Sequence, residues 1–378
     1  MEMMAIPGAS GDEKAAAEFV RQYLLAAGAD AKAIGFDSAH KRTPIAGQTG
    51  NLIFKLPGTI KAPRRLLMAH LDTVPICVGS KPVRKGKFVV SADPATGLGA
   101  DDRAGAAVVL LAALNILKRK LPHPPLTFLW TVQEEIGLHG ARHVSVGRLG
   151  KPQLAFNFDG GSPTKLTIGA TGGYRMEIVV HGVASHAGGA PERGVSAIAV
   201  AALAIADLHQ RGWHGDINKD GAHGTSNVGV IAGGAATNVV TDRVVVRAEA
   251  RSHDPKFRRR IVREIEQAFA RAARQVRNVD GQCGHVVIDG RLDYDSFLLK
   301  ASEPCVTVAQ QALRDLGEQP QLAITNGGLD ANWMARHGIP TVTLGAGQLN
   351  QHMVSEKLDI AQFHTACQVA LRLAAAID

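Results

Sequence analysis

Short apolar runs that alternate with helical segments constrain the fold of this 378-residue chain more than any other feature. Each run is bounded by glycine, proline or charged residues, as buried strands are. The clearest runs are 52–56, 66–69, 126–132 and 154–158, and a helical segment at 104–120 lies among them. Because strands that alternate with helices form covered parallel sheets, we predict an α/β fold with a mostly parallel sheet and helices on both faces.

The pattern changes after Gly173. Segment 174–181 alternates in polarity, and a helix, two strands and a second helix are predicted after it. This β-α-β-β-α order is typical of a smaller α+β domain with an antiparallel, ferredoxin-like sheet. The chain is long enough for two domains. We therefore predict a larger, discontinuous domain at 1–173 and 298–378, with an inserted domain at 174–297.

The first predicted helix spans residues 13–27. Ser10 stands just ahead of it and Glu13 follows three residues later, which is the pattern of a capping box. In such a box the serine hydroxyl binds a backbone N–H group of the first helical turn. We therefore expect Ser10 to cap this helix.

The net charge of +8 raises the question of a nucleic-acid or membrane partner. The densest basic run is Arg258, Arg259, Arg260 and Arg263. Apolar residues recur around it at helical spacing, so we interpret the run as a solvated helix face and predict no nucleic-acid binding. No secretory signal and no apolar run of about 18 residues occurs, so the chain is expected to be cytoplasmic, without a membrane partner.

Histidine and acidic residues follow the predicted strands where those strands end. His70 and Asp72 come after the strand at 66–69 and lie two residues apart. Residues i and i+2 share a face of an extended chain, so Asp72 can hold an imidazole whose other nitrogen binds a metal. For this pair alone, an ordinary hydrogen-bonded histidine is the alternative.

Two pairs of adjacent acids are further candidates. Asp101 and Asp102 lie in a glycine-flanked turn ahead of an apolar helix, where one aspartate is enough to cap the helix. Glu134 and Glu135 directly follow a buried strand. Two carboxylates this close raise each other's pKa, and their burial is costly unless cations or water molecules bind them. The glutamate pair suits two roles: one residue as a metal ligand and the other as a general base.

Two more strands end in the same way. Asp159 follows the strand at 154–158, and His352 follows an apolar run at 341–344. Each motif alone has a structural explanation. Together they place acids and histidines after several strands, and the carboxyl ends of parallel strands are where α/β sheets have their binding sites. This convergence predicts a metal site.

Five motifs occur in a fixed order: HLDTV at 70–74, GADDRAG at 99–105, QEEIG at 133–137, FDGG at 158–161 and HMVSE at 352–356. As an ordered set they resemble the M20 family of metallopeptidases and amidohydrolases, and within it the tripeptide aminopeptidase (peptidase T) type. The resemblance covers nearly the full chain. It implies an enzyme that cleaves an amide bond of a short peptide or a peptide-like molecule, with two divalent metal ions per subunit.

The resemblance assigns the metal ligands. Asp101 bridges the two ions, and the peptide bond after it is often cis in the family. One ion is bound by Asp101, Asp159 and His70. The other is bound by Asp101, Glu135 and His352. These nitrogen and oxygen ligands suit Zn²⁺, with Mn²⁺ or Co²⁺ as alternatives.

The resemblance also implies the catalytic residues. Glu134 is the general base, which takes a proton from water and passes it to the leaving amine. Asp72 orients His70. His186 is similar to a family histidine that reaches the active site of the partner subunit and stabilises the oxyanion, which implies a homodimer formed through the inserted domain. A loop histidine with ordinary hydrogen bonds is the alternative for His186.

The predicted substrate contacts are Asn238, Arg251, Asn326 and Gly327. Arg251 resembles an arginine that clamps a substrate carboxylate in some members of the family. An ion pair with Glu249 or Asp254 is the alternative for this arginine, and a turn residue is the alternative for Asn238.

Three functions remain open. The first is an exopeptidase that frees an N-terminal residue from short peptides. The second is a deacylase or amidohydrolase that acts on an N-acyl amino acid with the same metals. The third is an inactive scaffold, which requires the loss of a ligand or of the base, whereas every such position here has a competent residue. Segment 211–225 has no counterpart in the family, and this leaves specificity open.

Overall fold

The computed structural model describes residues 1–376. Within that range the chain forms two compact units. Unit 1 consists of Met1–Ala170 and the described residues from Leu298 onward, and unit 2 consists of Thr171–Phe297. Unit 2 is therefore continuous in sequence, whereas two separate stretches form unit 1.

The described residues contain nine α-helices and twenty β-strands. In chain order the helices are α1 (Glu2–Ala5), α2 (Lys14–Ala26), α3 (Ala100–Arg119), α4 (His139–Arg142), α5 (Ala197–Gln210), α6 (Pro255–Gln275), α7 (Pro304–Arg314), α8 (Asp330–Arg336) and α9 (Ile360–Ala374). The strands are β1 (Ile34–Phe36), β2 (Leu52–Leu56), β3 (Arg65–His70), β4 (Pro82–Lys85), β5 (Phe88–Ser91), β6 (Leu126–Thr131), β7 (Leu154–Phe158), β8 (Lys165–Ala170), β9 (Gly172–His181), β10 (Ser185–His186), β11 (Gly215–Lys219), β12 (Ala222–Gly233), β13 (Val239–Val240), β14 (Arg243–Ser252), β15 (His285–Tyr294), β16 (Phe297–Leu298), β17 (Gln321–Thr325), β18 (Thr341–Leu344), β19 (Gln348–Leu349) and β20 (Lys357–Asp359).

Unit 1 is built around a mixed sheet with the order β1-β2-β6-β3-β7-β18-β8-β16, in which β17 also pairs with β8. Its centre is parallel: β6 pairs with β3, β3 with β7, and β7 with β18 in the parallel sense. Every residue of β6 and of β7 is buried, which explains why these strands are unbroken apolar runs in the sequence. Helices α3 and α9 pack against β3, and α7 packs against β7, β8 and β18.

This topology brings three strand ends together. Strands β6, β3 and β7 are adjacent and parallel, so their carboxyl ends meet at the same edge of the sheet. A second, four-stranded antiparallel sheet of the order β19-β20-β5-β4 lies in the same unit. The connection from β19 to β20 carries His352, whose φ is 63°.

Unit 2 contains an antiparallel sheet with the order β11-β12-β14-β9-β15. Buried and more exposed residues alternate along β9 and β14, as expected of a sheet with one covered face. Helices α5 and α6 pack against each other and against β9 and β14. The predicted fold class is confirmed: a mostly parallel α/β sheet, and a separate antiparallel sheet with helices. Segment 211–225 includes β11 and the start of β12, an edge hairpin.

Two predictions about local structure are wrong. Helix α2 begins at Lys14 without a side-chain cap, and Ser10 instead donates a hydrogen bond to Asp72. The basic face of α6 was predicted to be solvated, but Arg258 on this helix is buried and pairs with Asp295 at 2.6 Å. In both cases a partner distant in sequence binds the side chain. Among residues 1–376, no helix is long and apolar enough to cross a bilayer.

Candidate metal centre

The ends of three neighbouring strands supply most of the candidate ligands. His70 is the last residue of β3, and Asp159 follows β7 directly. Glu134 and Glu135 follow β6 after two further residues. Because these strands are adjacent and parallel, side chains that are far apart in sequence lie together in unit 1.

Asp101 reaches the same place from the start of α3. Its peptide bond to Asp102 is cis, and both residues have non-helical backbone angles. The turn is held by Glu356, whose carboxylate accepts the N–H of Gly99 at 2.6 Å and the N–H of Asp101 at 2.9 Å. Glu356 closes the HMVSE motif, but the sequence did not reveal this role because the contact spans more than 250 residues.

Two groups of potential ligands share Asp101. The first contains His70, Asp101 and Asp159, and the second contains Asp101, Glu135 and His352. Within each group one ligand atom per residue lies within 4.8 Å of the others. The structure thus brings together all five residues that the sequence predicted as metal ligands.

The two histidines approach opposite oxygens of the shared aspartate. Nε2 of His70 lies 3.4 Å from Oδ1 of Asp101. Nε2 of His352 lies 3.3 Å from Oδ2 of Asp101 and 3.0 Å from Oε2 of Glu135. A carboxylate with one histidine nitrogen at each oxygen has the arrangement needed to bridge two cations.

The residues present fit a metal pair. Oδ1 of Asp101 and Oε1 of Glu135 are buried and make no hydrogen bond. A buried carboxylate oxygen without a partner is costly unless a cation receives it. Histidine nitrogens mixed with carboxylate oxygens are the donor set that Zn²⁺ and similar divalent ions prefer.

The electrostatics also favour a cationic occupant. Burial, and then the charge of Asp101, raise the pKa of Asp159 to about 8. Burial raises the pKa of Glu134 well above its usual value, and the nearby charge of Glu135 adds to this effect. Hydrogen bonds to Asp101 and Glu135 raise the pKa of His352 to about 10. Carboxylates crowded in this way require positive charge to remain ionised.

Asp72 is fully buried behind His70. Nδ1 of His70 lies 3.1 Å from the carbonyl oxygen of Asp72 and 3.5 Å from its Oδ1. The ring therefore directs Nε2 towards Asp101. The carboxylate of Asp72 also accepts the backbone N–H groups of Glu134 and Glu135.

Asp330 is a buried acid that the sequence analysis did not assign. Its carboxylate accepts a hydrogen bond from Thr131, the last residue of β6. Burial raises the pKa of Asp330 to about 6, and its charge helps to raise the pKa of Glu134. In the sequence Asp330 has the appearance of an ordinary residue at a helix start, so only the fold shows that it lies near Glu134.

Three of the predicted site residues lie in unit 2: His186, Asn238 and Arg251. Nδ1 of His186 accepts the N–H groups of Gly188 and Gly189 at 3.1 and 2.9 Å. Asn238 lies in the turn just before β13, and its carbonyl accepts the N–H of Ala187, which follows His186.

The other predicted substrate contacts differ in their surroundings. Arg251 forms a bidentate ion pair with Glu249, with distances of 2.9 and 3.0 Å, which is one of the alternatives left open by the sequence. Asn326 and Gly327 follow β17 in unit 1. The N–H of Gly327 donates to Thr325 Oγ1 at 3.3 Å.

Comparison with known proteins decides the family. The model of peptidase family M20/M25/M40 matches residues 66–376. The chain belongs to this family. The family predicted from the five ordered motifs is confirmed, and the chain is a metallopeptidase.

Relatives within the M20 family match over most of their length. An uncharacterised Bacillus subtilis protein, YqjE, is 31% identical over 325 residues, which covers 86% of this chain and 84% of the relative. The crystal structure of a Staphylococcus aureus tripeptidase superimposes with a TM-score of 0.87 at 30% identity, covering 99% of this chain and 95% of that one. The aminopeptidase PepT of Bacillus cereus gives 0.83 at 31% identity, with the same coverages. This M20 peptidase is therefore similar to the peptidase T type.

Proposed function

We propose that this M20 peptidase is a two-metal aminopeptidase that removes the N-terminal residue from short peptides. The observation that carries the proposal is the pair of ligand groups that share Asp101. Two relatives of similar fold, at 30% and 31% identity, are described as a tripeptidase and as aminopeptidase PepT. A deacylase acting on N-acyl amino acids is the alternative, and no feature of the described residues favours it.

The proposed ligands follow the two groups. His70, Asp101 and Asp159 hold one divalent ion, and Asp101, Glu135 and His352 hold the other. Zn²⁺ is the proposed metal, with Mn²⁺ or Co²⁺ as alternatives. When bound, two such ions polarise the scissile carbonyl and lower the pKa of a water molecule to about 7.

Glu134 is the proposed general base. It belongs to neither ligand group, and it is buried beside both, where its charge interacts with those of His70, Glu135 and Asp159. Its carboxylate takes a proton from the attacking water and gives it to the nitrogen of the leaving amine. The amide bond breaks with no covalent intermediate on the protein. Asp72 is proposed to keep His70 in one orientation throughout.

His186 is proposed to stabilise the oxyanion of the tetrahedral intermediate. Because two backbone N–H groups donate to its Nδ1, the proton of the neutral ring lies on Nε2. The side chain is exposed, so this N–H is available as a donor. We propose that it serves the active site of a partner subunit.

The surface of unit 2 supports a homodimer. Strand β11 pairs with β12 only as far as Ser226, and among the described residues no strand pairs with the outer edge of β12 beyond it. Exposed apolar side chains lie on the same strand and on α5. The two elements are close here, since Ile198 of α5 lies beside Gly234, the residue that follows β12. The exposed apolar side chains are Ile198, Leu203, Val230 and Ile231. A second copy can cover such an edge symmetrically.

Mixing two variants of strongly reduced activity tests the shared site. His186→Ala is expected to lower kcat about 10²- to 10³-fold, the usual cost of an oxyanion donor. Mixed with Glu134→Gln under conditions of subunit exchange, it is expected to regain about a quarter of wild-type activity, because half of the randomly formed dimers then hold one intact site. Tripeptide hydrolysis measures the recovery.

The control adds Ile231→Asp to both variants. This change places a charge in the proposed interface and is expected to give monomers by light scattering and to abolish the recovery. If the first mixture exchanges subunits and stays inactive, His186 does not serve a partner's active site.

A substrate panel tests the proposed reaction. It contains a tripeptide, the same tripeptide with an acetylated N-terminus, and an N-acetyl amino acid. We expect release of the N-terminal residue from the free tripeptide and, for both acetylated compounds, rates lower by at least about 10²-fold, because a site for a free amine rejects the analogue that lacks it. Hydrolysis of the N-acetyl amino acid alone, detected by mass spectrometry, would establish the deacylase alternative.

A further inference from the structure

Three consecutive backbone N–H groups in the turn after β6 are held by two buried carboxylates. The N–H of Gln133 donates to Glu13 Oε1 at 3.0 Å. The N–H of Glu134 donates to Asp72 Oδ1 at 3.0 Å, and the N–H of Glu135 donates to Asp72 Oδ2 at 3.1 Å. The backbone that carries the proposed base and a proposed metal ligand is therefore fixed by Glu13 and Asp72.

The N-terminal loop at 8–13 donates a hydrogen bond to each of these two carboxylates. Oε1 of Glu13 also accepts the N–H of Gly11 at 2.7 Å. Ser10 Oγ donates to Asp72 Oδ2 at 2.6 Å. Ser10, Glu13 and Asp72 together form what we call the turn brace. The loop itself is attached to the segment after β3, since the N–H of Thr73 donates to the carbonyl of Gly8 at 3.1 Å.

The turn requires such support. Gln133 has a φ of 54°, in the left-handed region that a residue with a long side chain adopts only where its surroundings stabilise it. Both polar atoms of its side chain are buried without a hydrogen-bond partner, so the side chain does not fix the turn. Its backbone is held by hydrogen bonds instead: the N–H of Gln133 donates to Glu13 of the turn brace, and its carbonyl accepts the N–H of His139 at 3.0 Å.

The choice of carboxylates also indicates a positioning role. Glu13 and Asp72 both have 0% exposure, and a buried carboxylate costs stability unless hydrogen bonds or charges compensate for it. An uncharged group of similar shape often fills such a place without loss of stability. What Glu13 and Asp72 provide here is side-chain oxygen acceptors at fixed positions for successive backbone N–H groups.

We propose that Glu13 is a positioning residue, which with Ser10 and Asp72 holds the turn at 133–135 so that Glu134 and Glu135 meet the metal centre in one geometry. The inference rests on the proposed function, because it assumes that these two glutamates are base and ligand. A displacement of about 1 Å in such groups can lower the rate about 100-fold.

The test compares two substitutions at one position. Glu13→Ala removes the acceptor for two N–H groups and is expected to lower kcat for a tripeptide about 10- to 100-fold, with KM changed less than about threefold. It is also expected to weaken the binding of one Zn²⁺ per chain about tenfold, measured by titration of the metal-free protein. Glu13→Gln keeps a carbonyl oxygen at Oε1 and is expected to restore kcat to within about threefold of wild type.

Val20→Ala is the matched control. Val20 is fully buried in α2, the helix that Glu13 precedes, and it is not one of the residues of the turn brace. This variant is expected to lower Tm while kcat and metal affinity stay as in wild type. Equal losses of kcat in Val20→Ala and Glu13→Ala, or a loss in Glu13→Gln as large as in Glu13→Ala, would overturn the proposal.

Two further comparisons keep the outcomes separate. If Glu13→Ala does not fold, Ser10→Ala tests the other side of the turn brace, with an expected drop in kcat of about three- to tenfold, and an unchanged kcat would overturn the proposal. If wild type binds two ions but cleaves no peptide, the proposed reaction has failed. The Zn²⁺ titrations of Glu13→Ala and Glu13→Gln then still decide whether Glu13 positions the turn.

Discussion

Replacing Glu134 with glutamine is expected to lower kcat for a tripeptide about 10²- to 10⁴-fold, while both metal ions stay bound. The amide keeps the size of the side chain but cannot take a proton from water. Glu134 belongs to neither ligand group, so metal content should not change. Steady-state kinetics and metal analysis of the same preparation measure both quantities.

Glu135→Gln is the matched control, since it makes the same chemical change at the adjacent residue. Glu135 lies 3.0 Å from His352 within the second ligand group. This variant is expected to lose about one metal ion per chain, because an uncharged amide is a weaker ligand than a carboxylate. If Glu134→Gln keeps wild-type kcat, Glu134 is not the base; if it loses metal, Glu134 is a ligand.

Asp101→Ala is expected to abolish both metal sites and to lower activity at least about 10³-fold. Asp101 is the one residue common to the two ligand groups, and each of its oxygens faces a different histidine. Its removal also leaves His70 and His352 without the anion that lies between them. Metal content by mass spectrometry and tripeptide turnover measure the effect.

Asp159→Ala separates a shared ligand from an ordinary one. Asp159 belongs only to the group that contains His70. We expect this variant to keep about one ion, held by Asp101, Glu135 and His352. Equal metal loss in Asp101→Ala and Asp159→Ala would argue against a bridging role for Asp101.

The sequence predicted the fold class because the pattern of burial is local. Strands β6 and β7 are buried along their whole length and are unbroken apolar runs in the sequence. The candidate ligands were found for a related reason. Each follows a strand or opens a helix, and parallel strands bring such positions to one edge of a sheet.

Contacts between distant parts of the chain could not be predicted in this way. Ser10 matched a local capping pattern, but its hydroxyl binds Asp72, which lies 62 residues further on. Arg258 looked like part of a solvated face, yet Asp295 pairs with it in the fold. Glu356 and Asp330 became recognisable only when the structure placed them beside Asp101 and Glu134.

The most direct test of a two-metal peptidase is the metal content of the purified protein, measured by mass spectrometry beside tripeptide turnover. We predict about two divalent ions per chain, loss of turnover when a chelator removes them, and recovery when Zn²⁺, Mn²⁺ or Co²⁺ is added back. A protein that binds no metal and cleaves no tripeptide after any of these additions would contradict the account.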